Sequence, residues 1–419
     1  MPRNNSSQDS LPQSVPGKKL SKWLWVVWAL ILCAFIGNAV RYSGRAPKRH
    51  YSDFRVYYAT GERFLQKENI YSRPDMSITP FKYSPTFAML FAPLSRLSKH
   101  HAALVFFSVN FLSVVVICYL SKKIIGPDAL PFAKRVGLFF LSILFSSRFI
   151  LLVWDAGQVN LIMLLLTLLS LYLLSRKQEM LSATALGLGV LIKYMPAVFV
   201  PYFFIRKKWK WTLYVGLAVL ALLLSPGFVV GFEQGIGYLQ KWLPYITETS
   251  LDKSSWYDYK NQSIFSMGLR FLTQNSPYSH SFLALSHGQA MFVSILFALG
   301  LYVLILWPVT GKKYSQAIDY SLLLLCMALF NPNAWMLNFV PFIFVYIFLW
   351  QYLFENQFKD KVTLIFIVVS FMMTSWLSET VVSEQLESLA EELSCVTLGT
   401  LVLVAALLRL KYSRTLALK

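Results

Sequence analysis

Short polar segments divide the chain into apolar runs, most of them long enough to cross a lipid bilayer. A helix needs about 20 mainly apolar residues to span the hydrocarbon core, and only helices and closed barrels satisfy their backbone hydrogen bonds there. Helical runs of this length predict an all-α polytopic membrane protein. We expect about ten full spans, at residues 23–40, 102–121, 136–154, 159–175, 211–230, 287–308, 316–332, 335–353, 362–378 and 395–410.

The composition excludes an ordinary soluble protein. Hydrophobic residues make up 56% of the chain and charged residues only 14%, whereas a soluble domain is about a quarter charged. The net charge of +19 comes mostly from short basic clusters between the apolar runs, where membrane topology and anionic head groups account for it. We therefore expect membrane lipids, and no nucleic acid, as partners. The five His lack metal-ligand spacing, so we expect neither a metal nor a cofactor.

The basic clusters also predict the orientation of the chain. Residues 1–22 form a disordered cytoplasmic tail in this prediction, and residues 412–419 form a second one. The clusters between spans then lie in the cytoplasm, as the positive-inside rule requires, and the acidic segment 379–392 lies outside. Residues 23–411 make up a single transmembrane domain. The two large outer loops are about residues 41–100 and 231–286.

Residues 181–205 are flanked by basic clusters on both sides, and one full span would place one of these clusters outside the cell. A half-membrane helical hairpin broken at residues 193–196 keeps both clusters in the cytoplasm, because each arm of about ten residues reaches half the membrane thickness. Lys193 then lies near the middle of the bilayer. A lysine at that depth is costly, so we expect it to bind an anionic ligand. The alternative is a pair with an internal carboxylate.

The first outer loop suits a general base, and the second carries side chains that suit sugar binding. Asp53 lies just after the first apolar run, in a loop rich in Arg, Lys and Tyr, where a carboxylate suits a general base. The alternative is that Asp53 caps a short interfacial helix, since Ser-Asp is a common helix start. The second loop combines the aromatic segment 256–259 with amides at 261–262, a combination that also suits a membrane interface.

Several motifs follow one another between residues 50 and 345. They are Asp53-Phe54-x-x-Tyr57-Tyr58 with Tyr71, Tyr83-x-Pro85, Pro93-Leu94, Gly157-Gln158-Val159-Asn160, Gly187-x-Gly189, Lys193-x-x-Pro196, Asn261-Gln262-Ser263 with Arg270, and Asn331-Pro332-x-x-Trp335. In this order the motifs resemble glycosyltransferase family 87, the polyprenyl-phosphate-mannose-dependent mannosyltransferases of bacterial envelopes, which belong to the GT-C superfamily.

The resemblance implies a GT-C transmembrane core in the bacterial inner membrane, with both termini cytoplasmic and the active site on the periplasmic face. A hexose, mannose in the family, would pass from a polyprenyl-phosphate donor to a lipid or glycan acceptor. Asp53 would be the catalytic base, and Lys193 with Arg270 would bind the donor phosphate. Sugar or acceptor contacts are expected at Tyr57, Tyr58, Tyr83, Gln158, Asn160, Asn261, Gln262, Trp335 and Asn338.

The residue types agree with this chemistry. Inversion by a single displacement needs one carboxylate to accept a proton, whereas retention needs two close together. A departing lipid phosphate needs fixed positive charge, which Lys and Arg supply without a metal. The sequence departs from the pattern at Leu337-Asn338, where some family members carry a His pair, and this leaves the donor sugar open.

Two other functions remain open at this stage. A transporter or flippase of a lipid-linked sugar or anionic lipid would also have many spans and an intramembrane lysine. However, the halves show no inverted repeat, and Arg148 and Asp155 cluster towards the outer end of one helix. An accessory subunit that binds a lipid-linked sugar without chemistry is the second alternative, and only substitution of Asp53 separates it from an enzyme.

Overall fold

The computed structural model is all-helical in the part of the chain that it describes. That part comprises residues 52–72, 80–126, 130–250, 253–274, 276–278, 281–308, 314–379 and 381–413. Within it, one isolated β-bridge between Thr273 and Leu285 is the only extended pairing, and it builds no sheet. The expected N-terminal tail, the first span at residues 23–40 and most of the C-terminal tail lie outside the described residues.

Eighteen α-helices run through the described ranges. They are α1 Ser52–Leu65, α2 Pro85–Phe91, α3 Lys99–Ile125, α4 Phe132–Ala156, α5 Asn160–Ser175, α6 Glu179–Ile192, α7 Phe199–Ile205, α8 Trp209–Leu224, α9 Gly227–Val230, α10 Phe232–Ser250, α11 Lys253–Tyr257, α12 Ile264–Leu272, α13 His287–Leu306, α14 Ser315–Leu329, α15 Phe342–Glu355, α16 Lys361–Phe371, α17 Glu384–Glu392 and α18 Cys395–Tyr412. A 3₁₀ turn at Met336–Phe339 leads into α15, and a π-helical turn at Met372–Trp376 extends α16.

Six helical segments in the described residues are long and apolar enough to cross a membrane. They are Lys99–Ile125, Phe132–Ala156, Trp209–Val230, His287–Leu306, Met336–Glu355 and Cys395–Tyr412. Three further predicted spans coincide with shorter apolar helices, Asn160–Ser175, Ser315–Leu329 and Lys361–Trp376. The prediction of an all-α chain with many membrane helices is therefore confirmed, and the full count of ten remains a prediction.

The bundle is built around α15. Within the span Met336–Glu355, 89% of the most apolar window is buried, whereas the corresponding value for Trp209–Val230 is 22%. The central helix is apolar on all sides and packs against α3, α4, α14 and α16. A helix that is hydrophobic all round belongs inside a bundle, and one with exposed Leu side chains faces lipid. The α8 helix is of the second kind, since Leu213, Leu217 and Leu220 are exposed.

The predicted break after residue 192 is present. The α6 helix ends at Ile192, Lys193 adopts an extended conformation, and a 3₁₀ turn at Met195–Val198 leads into α7. Pro196 has no backbone N–H and its ring blocks the preceding turn, so a continuous helix is disfavoured here. The α6 arm packs between α5 and α8. The depth of the break in the bilayer remains a prediction.

The α1 helix, which carries Asp53, is held close to the chain at residues 92–96. Ser95 Oγ donates a hydrogen bond of 2.9 Å to the Tyr58 carbonyl oxygen. A Cβ atom at Gly61 would lie 2.1 Å from Ser95 Oγ and 3.2 Å from the Ala92 Cα atom. Only glycine allows this approach of α1 to its neighbour.

We expect Gly61→Val to destabilise the protein by about 1–3 kcal/mol, the usual cost of overpacking. The added side chain forces α1 away from Ser95. Thermal unfolding in detergent micelles measures the effect. Gly216→Val is the matched control, because a Cβ at Gly216 meets no atom within 4 Å. Equal midpoints for the two variants would contradict the role of Gly61.

Candidate active site

The first helix places an acid and a tyrosine on one face. Asp53 lies in the first turn of α1, and Tyr57 follows four residues later, so the two side chains are neighbours on the helix surface. Tyr57 is fully buried, and its ring makes edge-to-face contacts with Tyr83, Phe87 and Phe91. This packing fixes the rotation of α1 and hence the direction of Asp53.

Gln158 joins the two tyrosines from the turn between α4 and α5. Tyr57 donates a hydrogen bond of 2.8 Å to Gln158 Oε1, and the Tyr83 hydroxyl lies 3.2 Å from the same atom. The two hydroxyl oxygens are 2.8 Å apart. The structure therefore brings together three expected site residues from three distant parts of the sequence.

Lys193 lies at the break after α6 and has two asparagine neighbours. Its ammonium donates to Asn338 Oδ1 at 3.2 Å, and Asn160 Nδ2 donates to the same oxygen at 3.1 Å. Asn160 and Asn338 are buried, and Lys193 is half-buried. The departure from the family pattern at Asn338 therefore provides the protein acceptor for the lysine.

Asp53 and Lys193 interact electrostatically. Burial raises the pKa of Asp53 above its usual range, while Lys193 and a hydrogen bond from Gln158 oppose that rise. Among the described residues, Lys193 hydrogen-bonds Asn338 and not Asp53. The interaction between these two charges is therefore electrostatic and not a direct hydrogen bond. A carboxylate with a raised pKa is a better general base, and its place in the first turn of α1 agrees with the helix-start interpretation as well.

Arg270 belongs to a second cluster. Its NH1 nitrogen donates to the Asp258 and Asn261 carbonyl oxygens and to Ser266 Oγ, and its other two nitrogens donate to Ser394 Oγ. Only 1% of the residue is exposed, and burial lowers its pKa to about 10. This guanidinium ties the segment around residue 260 to the start of α18.

The other expected contact residues are divided between the interior and the surface. The side chains of Tyr58, Asn261 and Gln262 are buried and donate to backbone carbonyl oxygens. Trp335, by contrast, is 36% exposed at the start of the 3₁₀ turn that carries Asn338. Of these four side chains, only Trp335 presents a large surface to a ligand.

Residues 81–337 match glycosyltransferase family 87 over more than half of the chain. The chain belongs to glycosyltransferase family 87. The family predicted from the ordered motifs is therefore confirmed. A similar protein is a polyprenol-phosphate-mannose-dependent alpha-(1-2)-phosphatidylinositol mannoside mannosyltransferase of Mycobacterium tuberculosis, 26% identical over 240 residues. The similarity covers 51% of this chain and 53% of the relative, so it spans about half the length of each protein.

The range that matches family 87 contains only part of the acid–lysine cluster. It includes Tyr83, Gln158 and Lys193, whereas Asp53 lies before it and Asn338 directly after it. The assignment of Asp53 as a base therefore depends on its contacts with residues inside the matched range. These are the electrostatic interactions with Lys193 and with the Gln158 side chain, both of which lower the pKa of Asp53.

Two residues near the cluster were missed by the sequence reasoning. Ser84 Oγ caps α2 and donates to the Leu191 carbonyl oxygen at 2.7 Å, which fastens α2 to the end of α6. Tyr194 is 44% exposed, and its hydroxyl donates to Asn331 Oδ1 at 2.6 Å. The Ser84-Pro85 pair signalled a helix start, but no local pattern indicated either distant partner.

The acidic segment predicted to lie outside contains α17, and Arg148 forms ion pairs with two glutamates of this helix. Arg148 NH2 lies 2.6 Å from Glu387 Oε1 and 3.4 Å from Glu391 Oε1, and Arg148 NH1 donates to the Thr374 carbonyl oxygen. Arg148 is only 8% exposed. Its charge is thus used to dock α17 onto the bundle.

We expect this docking to be pH-dependent through Glu391. Burial raises the pKa of Glu391 from 4.5 to about 7, and Arg148 opposes this rise only in part. The stability that this proton provides is complete below pH 4.5 and is lost as the pH rises through about 7. Each unit of pKa difference corresponds to about 1.4 kcal/mol. Unfolding midpoints between these pH values should fall for the wild type relative to Glu391→Gln, and parallel curves would contradict the assignment.

Proposed function

We propose that this member of family 87 transfers a hexose from a polyprenyl-phosphate donor to a lipid or glycan acceptor of the envelope. The observation that carries the proposal is the electrostatic interaction of Asp53 in α1 with Lys193 at the break after α6, a carboxylate and a cation that lie far apart in the sequence. The relative of M. tuberculosis is described as polyprenol-phosphate-mannose-dependent, which supports mannose as the sugar.

The mechanism is a single displacement. The Asp53 carboxylate accepts the proton of an acceptor hydroxyl, and the hydroxyl oxygen forms a bond to the anomeric carbon of the donor sugar. The bond from that carbon to the phosphate oxygen breaks on the opposite side, so the configuration inverts. The electron pair leaves with the lipid phosphate, and the Lys193 ammonium stabilises its charge. Asp53 finally releases its proton to water.

The placement of the reaction follows from the proposed topology. Ten spans with the α6–α7 hairpin put the acid–lysine cluster at the periplasmic face of the bacterial inner membrane, with both termini in the cytoplasm. The six long apolar helices and the interruption at Lys193 support this arrangement. A polyprenyl chain would then lie among lipid-facing helices while its phosphate meets the lysine.

The remaining site residues receive different roles in this proposal. Tyr83 is half-buried and Trp335 exposed, so these rings are the proposed sugar contacts. The Tyr57 hydroxyl hydrogen-bonds the side chains of Tyr83 and Gln158 and holds them in place. For Arg270 we propose a structural role in place of phosphate binding, because all three of its nitrogens donate to protein groups. The same structural role applies to Tyr58, Asn261 and Gln262.

A transfer assay tests the function. Purified protein in lipid vesicles receives radiolabelled polyprenyl-phosphate-mannose together with a membrane lipid extract or a phosphatidylinositol mannoside, the acceptor named for the relative. We expect the label to appear in a new product. Label that crosses the bilayer on unchanged donor would instead indicate a transporter. Donor binding with no transfer to any acceptor would favour an accessory subunit.

A further inference from the structure

The turn between α4 and α5 interacts with Asp53 through Gln158 and reaches Lys193 through Asn338. Gly157 ends α4 with φ +65° and ψ +44°, a left-handed conformation that glycine adopts without strain. The α5 helix begins at Asn160. The turn Gly157–Asn160 thus presents one amide, Gln158, before the helix and a second, Asn160, in its first turn.

The orientation of Gln158 is determined by its acceptors and donors. Its Oε1 atom accepts from the Tyr57 hydroxyl at 2.8 Å and from the Val159 backbone N–H at 3.2 Å, and the Tyr83 hydroxyl also lies 3.2 Å away. The Val159 backbone N–H can only donate, so the amide atom beside it is the oxygen and the flipped amide is excluded. The Nε2 group is therefore the end of the amide left to interact with the Asp53 carboxylate, and the Gln158 side chain lowers the pKa of that carboxyl.

Asn160, the second amide of the turn, acts on Lys193 through Asn338. Asn160 is fully buried, so its side chain is closed to a substrate. Its Nδ2 group donates to the Leu337 carbonyl oxygen at 2.6 Å and to Asn338 Oδ1 at 3.1 Å. Asn338 Nδ2 in turn donates to the Asn333 carbonyl oxygen. These bonds fix the oxygen that receives the Lys193 ammonium.

We propose that the turn Gly157–Asn160 is a positioning segment that sets the general base and the phosphate-binding lysine in one geometry. Gln158 orients Asp53, and Asn160 orients Lys193 through Asn338. The inference rests on the proposed function and deepens it, because it converts Gln158, Asn160 and Asn338 from sugar contacts into residues that act through the two charged groups. A short turn between two packed helices is a rigid support for such a task.

Gln158→Met tests the first half. The variant keeps the length of the side chain and removes the amide that stabilises the ionised Asp53 carboxylate. Because the base must be ionised, we expect the acidic limb of the pH–rate profile to move up by about one pH unit. The rate should fall most at low pH and recover above the limb, with the donor KM unchanged. Gln158→Glu, which places a like charge near Asp53, should move the limb in the same direction.

Asn338→Leu tests the second half. Lys193 loses its protein acceptor, so we expect the donor KM to rise about tenfold while the acidic limb stays where it is in the wild type. Asn110→Leu is the control. Asn110 is also a buried asparagine, but its amide donates only within α3, to the Phe106 carbonyl oxygen, and the change should move neither quantity.

The outcomes separate the inference from the proposed function. A uniform loss of rate at every pH in both Gln158 variants would reduce Gln158 to a packing residue and overturn the inference alone. An unchanged donor KM in Asn338→Leu would overturn the claim that Asn160 positions Lys193 through Asn338. A wild-type protein that binds the donor but transfers no sugar to any acceptor would overturn the proposed function and the inference with it.

Discussion

Asp53→Asn is expected to reduce sugar transfer by at least about 100-fold, the lower range for loss of a general base, while the protein still binds the donor. The amide keeps the shape of the side chain and its place in the first turn of α1, but it cannot accept a proton at neutral pH. Donor affinity depends on Lys193, whose hydrogen bond to Asn338 the change leaves intact.

The measurement compares the initial rate of transfer and the donor dissociation constant for wild type and variant in the same vesicles. Glu62→Gln is the matched control, since it makes the same chemical change on α1, nine residues from Asp53 and therefore on the opposite face. We expect the control to keep its rate. Full activity in Asp53→Asn would remove Asp53 from the mechanism and leave the helix-start interpretation.

Lys193→Met is expected to lower kcat/KM for the donor by about 100- to 1000-fold, as removal of a charge-stabilising group at a leaving oxygen does. The methionine fills nearly the same volume and leaves no charge to meet the phosphate. Asn338 Oδ1 still accepts from Asn160, so the fold should persist. Lys193→Arg, which restores the charge on a larger head group, should recover part of the loss.

Arg270→Met provides the contrast to Lys193→Met. Sequence reasoning assigned phosphate binding to both residues, but the Arg270 guanidinium already donates to two backbone carbonyl oxygens and two serine hydroxyls. We therefore expect this change to lower thermal stability and leave donor affinity intact in the folded fraction. A variant of Arg270 that unfolds normally but fails to bind donor would restore it to the site.

The sequence predicted the helices better than the contacts between them. Apolar runs indicated the spans because burial in lipid acts on each segment by itself, and Pro196 marked the break before α7 because its effect on the backbone is local. The α5 helix is an example, since residues 159–175 were predicted and the helix covers Asn160–Ser175. That this short apolar helix crosses the membrane remains a prediction.

The candidate site shows a similar division. Asp53 and Lys193 stood out because charge beside or within a bilayer is costly and needs a purpose. Gln158 contacts Tyr57, which lies 101 residues earlier in the chain. This contact depends on how α1 packs against the turn after α4, and the periodicity of neither segment predicts it. The partners of Arg270 were missed for the same reason, since Ser394 lies 124 residues away.

The break at Lys193 affects how the chain inserts into the membrane during its synthesis. In the proposed topology Lys193 lies within the bilayer, where a lysine without a partner costs about 2.5–3.5 kcal/mol on insertion scales. The α6–α7 hairpin would then enter the membrane before Asn338, 145 residues downstream, has been translated. Until then Asp53, which precedes Lys193 in the chain, would be the carboxylate that offsets its charge. On this order of synthesis the proposed base would first stabilise the inserted lysine, and Asn338 would join the cluster last.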